Sequence, residues 1–301
     1  MKNTHLQHPE DSILTGDLSV LDWFTAGGHI STKIDGAPAI VWGTNPANGK
    51  FFVGTKSVFN KVKIKINHSH EEIDANHDGE VAVILHACFD NLPVIKFVAQ
   101  CDFIGFGWDD TYCPNTITYK FDEIVRQSII VAPHTFYQCE NDLRDAVAYP
   151  LQHYKFGDTE TVKFVQPECW QVETDFSTLI AFARQMSTTC EFITAKQSAR
   201  VQRQLNACIR QAVLIDDLTL EAIAFDNQID VNVLRLWLLV KKIKDQMLCT
   251  LHNDGPKAYI NQQQIDGEGY VMTNEFGMFK FVNREQFSHA NFNQGRFQVS
   301  N

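Results

Sequence analysis

His29-Ile-Ser-Thr-Lys33-Ile-Asp-Gly36-Ala-Pro-Ala-Ile-Val-Trp42 is the stretch on which the reading of this chain turns. Two apolar, strand-like segments, 29–35 and 37–42, meet at Asp35-Gly36, a dipeptide that favours a turn. Lys33 stands two residues before that turn. A lysine amine is protonated at neutral pH, and it attacks only when burial or a neighbouring positive charge lowers its pKa. The plain alternative is an exposed strand lysine ahead of a turn. What decides between the two is whether the rest of a reactive site lies elsewhere in the chain.

Outward from this stretch, Asn45-Pro-Ala-Asn-Gly49 is a strong turn signal and 50–55 a third strand. Segments 94–103, 116–121 and 162–165 read as further strands, and 17–26 as a helix stopped by Gly27-Gly28. Hairpins of this kind favour antiparallel or mixed sheets over a doubly wound parallel one. From 176 to 249 the pattern turns helical. Leu179, Phe182, Ala183 and Met186 are spaced three and four apart, and 233–248 is a second helical candidate. Neither Gly nor Pro occurs between Gln171 and His252. Strand pattern returns at 268–273, and with the turn Asn274-Glu-Phe-Gly277 and 278–282 it makes a closing hairpin. The expectation is an α+β protein in which 1–170 and 251–301 form one sheet domain, interrupted by a helical insertion at 171–250.

The chain has 301 residues, 44% hydrophobic and 21% charged, which is an ordinary globular composition. No stretch approaches the roughly 20 apolar residues of a membrane span, and the polar start does not read as a signal peptide. Eight cysteines without a Cys-x-x-Cys pair predict free thiols in a reducing compartment, the cytoplasm. A net charge of −10 argues against a protein that coats nucleic acid but not against one that grips a few phosphates. Two basic regions stand out: Lys50, Lys56, Lys61, Lys63 and Lys65, and then Arg200, Arg203, Arg210, Arg235, Lys241, Lys242 and Lys244. Each taken alone reads as a solvated face.

An attack by Lys33 on the α-phosphorus of a nucleoside triphosphate, with pyrophosphate leaving, is mostly a matter of positioning and electrostatics. It needs cations on the phosphates and a carboxylate to hold a metal. Glu268-Gly-Tyr-Val-Met272 places a carboxylate at the head of a strand, and Lys280 follows across the hairpin. Asp102 ends the 94–103 strand. The order Lys33-Ile-Asp-Gly36, Asp102, Glu268-Gly-Tyr-Val-Met272, Lys280 resembles the covalent nucleotidyltransferase superfamily of ATP-dependent DNA ligases, RNA ligases and messenger-RNA capping enzymes. The stretches Lys33 to Gly43, Gly54-Thr-Lys-Ser-Val-Phe-Asn-Lys61, Pro114-Asn-Thr-Ile-Thr-Tyr119 and Phe279-Lys-Phe-Val-Asn-Arg284 are similar to a ligase-like group of tailed phages.

That resemblance implies an adenylation-domain fold and a polynucleotide ligase acting on nicked or end-paired DNA or RNA. It implies ATP and Mg²⁺ or Mn²⁺ as requirements, and a monomer in the host cytoplasm if phage-encoded. Lys33 would carry the nucleotide, flanked by Thr32 and Ile34. Lys56 would contact ribose or phosphate, Asp102 the ribose or the metal, and Tyr119 or Phe121 would stack on the base. Glu268 would organise the metal and Lys280 the α-phosphate. The departures are Pro38 where the family has Arg, Ser31 where many ligases have an acidic residue, and Asp102 for the usual Glu. Val282 replaces a second lysine, for which Arg284 would substitute. Only 21 residues follow Lys280, so no C-terminal OB domain is expected, and the basic insertion would take over part of the nucleic-acid grip. A GTP-dependent capping-type enzyme and an inactive, nucleic-acid-binding or virion relative are the alternatives. His68, His70 and His77 lack closing zinc ligands. The segment 74–85 lacks the final Glu of a calcium loop, and 105–110 reads as a turn.

Overall fold

A computed structural model describes residues 6–152 and 154–286. The chain is α+β, with mainly antiparallel sheets. It divides into two compact units. One takes in Ile34–Glu168 and Asp254–Gly267, and the other Leu6–Lys33, Cys169–Asn253 and the chain from Glu268 on.

In the first unit, strands Phe51–Gly54, Ala39–Thr44, Val98–Phe106, Ile129–Gln138 and Val147–Pro150 lie side by side, and Val162–Phe164 pairs in parallel with Ile129–Gln138. Strand alternation sends Ile40 and Trp42 to one face and Val41 to the other. The first face packs on Ile84, Leu85 and Cys88 of the helix Gly79–Asn91. The second packs Val41, Phe52 and Val98 on Val58, Tyr137 and Leu143. A second antiparallel sheet runs Gln263–Ile265, Lys257–Ile260, Thr118–Val125, Asp109–Tyr112. The strand Ile129–Gln138 is an addition to the sequence reading, and the stretch 67–80, which reads as a loop and a helix start, holds the helix His70–Asn76 and the start of the helix Gly79–Asn91. The 105–110 turn is tighter than expected, with Asp109–Tyr112 already a strand.

In the second unit, His29–Thr32, Tyr270–Asn274 and Gly277–Phe281 form a three-stranded antiparallel sheet. Trp23, Tyr270, Met272, Phe279 and Phe281 share one core with Leu234, Trp237 and Val240 of the helix Val231–Leu248. Trp23 stacks on Phe281 at 5.0 Å. The helices of the middle segment, Ser177–Ser187, Ala195–Arg210, Asp217–Asn227 and Val231–Leu248, therefore pack with these strands, where the sequence set them apart as an insertion. With no Gly or Pro to break them, three of these helices start on polar caps: Thr194 in a capping box with Gln197, then Asp216 and Asp230. No helix among the described residues is long and apolar enough to cross a membrane. The eight cysteines form no disulfide among the described residues.

Candidate active site

The second unit brings Lys33, Glu268 and Lys280 together. Thr32 pairs with Tyr270 and Tyr270 with Phe281, and these two aromatic partners are buried in the core. Ser31, Val271 and Lys280 form the next row, so their side chains leave the opposite face. Lys33, two residues after Ser31 and one past the strand, falls on that same face, its N–H donating to the Gly269 carbonyl at 2.8 Å. The chain can come this close only at a glycine. A Cβ on Gly269 would lie 2.0 Å from the Phe281 oxygen, and its φ is +136°. Glu268 is thereby set beside Lys33, and the Lys33 Nζ donates to its Oε1 in a short ion pair. Both side chains are mostly buried, at 33% and 15% exposure. Burial, and then the charges of Lys33 and Arg284, hold the Lys280 amine below the usual lysine range, while Glu268 and Asp11 act the other way.

Arg284 departs from its expected role. It is 4% exposed and donates to Glu10 at 3.0 Å and Asp11 at 2.9 Å, and through its other nitrogen to Asn206. Its guanidinium lies 5.7 Å from the centre of the Trp237 ring, whose Nε1 donates to the same Asp11 oxygen at 2.9 Å. Lys244, fully buried, donates to Glu10 at 3.0 Å and to the Val282 carbonyl at 3.2 Å. Lys241 is shared by Asp245 and Glu285 at 2.6 and 2.7 Å. Burial alone would raise the Glu10 carboxyl, but Lys244, His8 and Arg284 bring it well below the ordinary range. Burial raises Asp11 and drives the His8 imidazole down to about 2. Arg284, Lys241 and Lys244 thus anchor the strand that carries Lys280, and none of the three is presented to a ligand. The source of this network, Glu10 and Asp11 on the helix Pro9–Ile13, lay in a segment that reads from sequence as merely polar.

In the first unit, Asp35 fastens the loop that opens with Ile34. Its Oδ1 accepts from Asn115 Nδ2 at 3.1 Å and its Oδ2 from the Thr116 N–H at 3.3 Å, while its own N–H donates to the Tyr119 Oη at 2.6 Å. The 114–119 motif is therefore the receptor for the Asp of the Lys-x-Asp-Gly run. Tyr119 is 1% exposed and holds this loop, so it is not available as a base-stacking platform. Phe121 is half-buried, its ring in edge contact with Tyr112 at 5.7 Å. Gly36 is again dictated by close approach, since a Cβ there would lie 2.7 Å from the Phe103 oxygen and 2.9 Å from the Asp102 Cβ. Asp102 pairs with Ala39 across the ladder, and Pro38 accepts from the Phe103 N–H at 3.1 Å. The Asp102 carboxylate lies 3.7 Å from His134 Nε2. Gln100 lies 3.3 Å from the same nitrogen, and Tyr137 donates to Gln100 at 2.6 Å. His134 was missed by sequence reasoning because its strand was missed. Lys56 is exposed at the start of the 3₁₀ turn Lys56–Phe59. No cluster of three His, Cys, Asp or Glu is assembled for a metal among the described residues.

The fold and this geometry define an α+β protein with a lysine–carboxylate pair and a second lysine on one sheet face. The chain belongs to DUF6267, a family of unknown function whose sequence model matches residues 3–219 and 215–296. No curated protein and no solved structure matches it.

Proposed function

We propose that this protein is a covalent nucleotidyltransferase with an adenylation-domain fold, an ATP-dependent polynucleotide ligase that joins a 5′-phosphate to a 3′-hydroxyl through a lysyl-AMP. The observation that carries this reading is the convergence of Lys33, Glu268 and Lys280 on one face of one small sheet, although Lys33 and Glu268 stand 235 residues apart in sequence. Support also comes from the three hydrogen bonds at Asp35, which give the Lys-x-Asp-Gly turn a fixed conformation.

In the resting protein the Lys33 ammonium donates to Glu268. For attack, the proton leaves to solvent and the neutral Nζ forms the N–P bond to the α-phosphorus. The bond from that phosphorus to pyrophosphate breaks. A 5′-phosphate oxygen then takes the adenylyl group from Lys33, and the 3′-hydroxyl displaces AMP. Lys280 is a partly buried cation next to another cation, an arrangement that a phosphate anion relieves. The Glu268 carboxylate offers the hard oxygen that suits Mg²⁺ or Mn²⁺, which need only one or two protein carboxylates when substrate phosphates complete the shell. Such an ion neutralises developing phosphate charge. Thr32, which immediately precedes Lys33, borders the nucleotide in this reading.

Incubation with α-labelled ATP or GTP, in Mg²⁺ and in Mn²⁺, tests this. Label from ATP that survives denaturing electrophoresis, and sealing of nicked duplexes, are the expected results. Label from GTP alone would point to capping chemistry, and no label from either nucleotide to an inactive relative.

A further inference from the structure

The chain carries 36 Asp and Glu, yet none falls between Asp35 and Glu71. Within this acid-free stretch lie Lys50, Lys56, Lys61, Lys63 and Lys65. The same unit pairs Lys120, Arg144, Lys155, Lys163 and Lys257 each with a carboxylate. None of the five lysines of the stretch forms an ion pair among the described residues, a state they share in this unit only with Lys96 and Arg126, although Lys50 lies close enough to Glu72 to help lower its carboxyl.

Four of them, Lys56, Lys61, Lys63 and Lys65, sit on a pinned loop. Val53 and Asn67 exchange backbone hydrogen bonds at 3.0 and 3.1 Å, which closes the excursion between them. Inside it, Val58 is fully buried and Phe59 packs on Tyr137 with ring centres 4.3 Å apart. Thr55 caps the 3₁₀ turn by accepting from the Ser57 N–H, and Lys65 is tied back to the Asn76 carbonyl. The tip, 61–63, is exposed, with Val62 at 77% and Lys63 in the left-handed region at φ +56°. A tight turn on a fixed base holds Lys56, Lys61 and Lys63 free in solvent at little further entropic cost on binding.

We infer that this loop is a docking site for the phosphate backbone of a nucleic acid, with Lys61 and Lys63 each neutralising one phosphate. The choice of nucleic acid as the polyanion rests on the ligase reading above. The unpaired state of the lysines stands apart from it. In a protein of net charge −10, a local patch of this kind is what keeps backbone binding possible at all.

The test is fluorescence anisotropy of a labelled nicked DNA duplex and of its RNA counterpart across a salt series, with wild type and Lys61→Ala/Lys63→Ala, alongside labelling by ATP. The double variant is expected to lower the slope of log affinity against log salt by about 1.8 on DNA, ~0.9 for each phosphate that is no longer neutralised. Its self-labelling should match wild type. Equal loss on DNA and RNA means that the backbone alone is read; loss on one identifies the duplex that the loop docks. An unchanged slope with labelling intact overturns the docking site and leaves the ligase reading standing. A lowered slope with no labelling in either protein overturns the ligase reading and keeps the site. Absence of duplex binding by wild type also overturns it.

Discussion

The two basic regions look alike in sequence and end differently in the structure. The lysines at 50–65 form no ion pairs among the described residues, and the four from Lys56 to Lys65 crowd a pinned loop with an exposed tip. In the helical region, Arg235 is held by Asp217 and Glu221, Lys241 by Asp245 and Glu285, and Lys244 by Glu10 and Asp245. Arg200 and Arg203 turn back to the carbonyls of Asp226 and Ala199. Counting charges does not reveal which cations are available. Availability depends on carboxylates brought in from elsewhere, here from a helix over 230 residues upstream of Lys244.

The largest break in this comparison is Lys244→Met. It leaves Glu10 and Asp11 buried with Arg284 as their remaining cation, and should cost about 3–5 kcal/mol in urea unfolding. The same change in the free region, at Lys61, should be nearly silent. Lys241→Glu places a third carboxylate against Asp245 and Glu285 and should cost about 2–3 kcal/mol, whereas its exposed neighbour Lys242→Glu should stay within about 0.5 kcal/mol. Both can be read from the same melts.

His8 sharpens the contrast through pH. Its folded pKa lies near 2, well below its unfolded value of about 6.5, so the unfolded chain takes up a proton that the native one refuses. Stability from this group is complete above about pH 6.5 and drains as pH falls toward 2. Between pH 7 and 5 wild type should lose roughly 2 kcal/mol, near the limiting slope of ~1.4 kcal/mol per pH unit below 6, that His8→Gln does not lose. Glu10 enters only at lower pH: its folded pKa is depressed, so its contribution begins to drain as pH falls through the ordinary glutamate value of about 4.3 and keeps draining below it. A small effect is also expected of Arg235→Ala. Its pairs with Asp217 and Glu221 are exposed, so the loss in urea unfolding should be slight and should vanish in high salt.

Much of the fold was legible. The helices of 177–248 announced themselves by apolar spacing and by the absence of Gly and Pro, and the closing hairpin by Asn274-Glu-Phe-Gly277. The strand Ile129–Gln138 did not, because Pro133 argues against a central strand. The sheet accommodates it where the register shifts, with Thr135 opposite Gln100 and Pro133 opposite Cys101, so that a bulge takes up His134. In the candidate site, Lys33, Glu268 and Lys280 were legible because each sits beside a turn or strand head with its own local signature. Arg284 and Tyr119 were misjudged for one reason. Their partners, Glu10 and Asp11 for the first and Asp35 for the second, lie far away in sequence, and no local pattern marks a polar group that will be buried on a distant one.

The most direct test of the central claim is where the label goes. Wild-type protein and Lys33→Ala are incubated with α-labelled ATP and Mg²⁺ or Mn²⁺, digested and mapped. The account predicts AMP on the peptide that contains Lys33, released by acid as a phosphorus–nitrogen bond should be, and none on the variant. Label retained by Lys33→Ala, or mapped to any other residue, would contradict it.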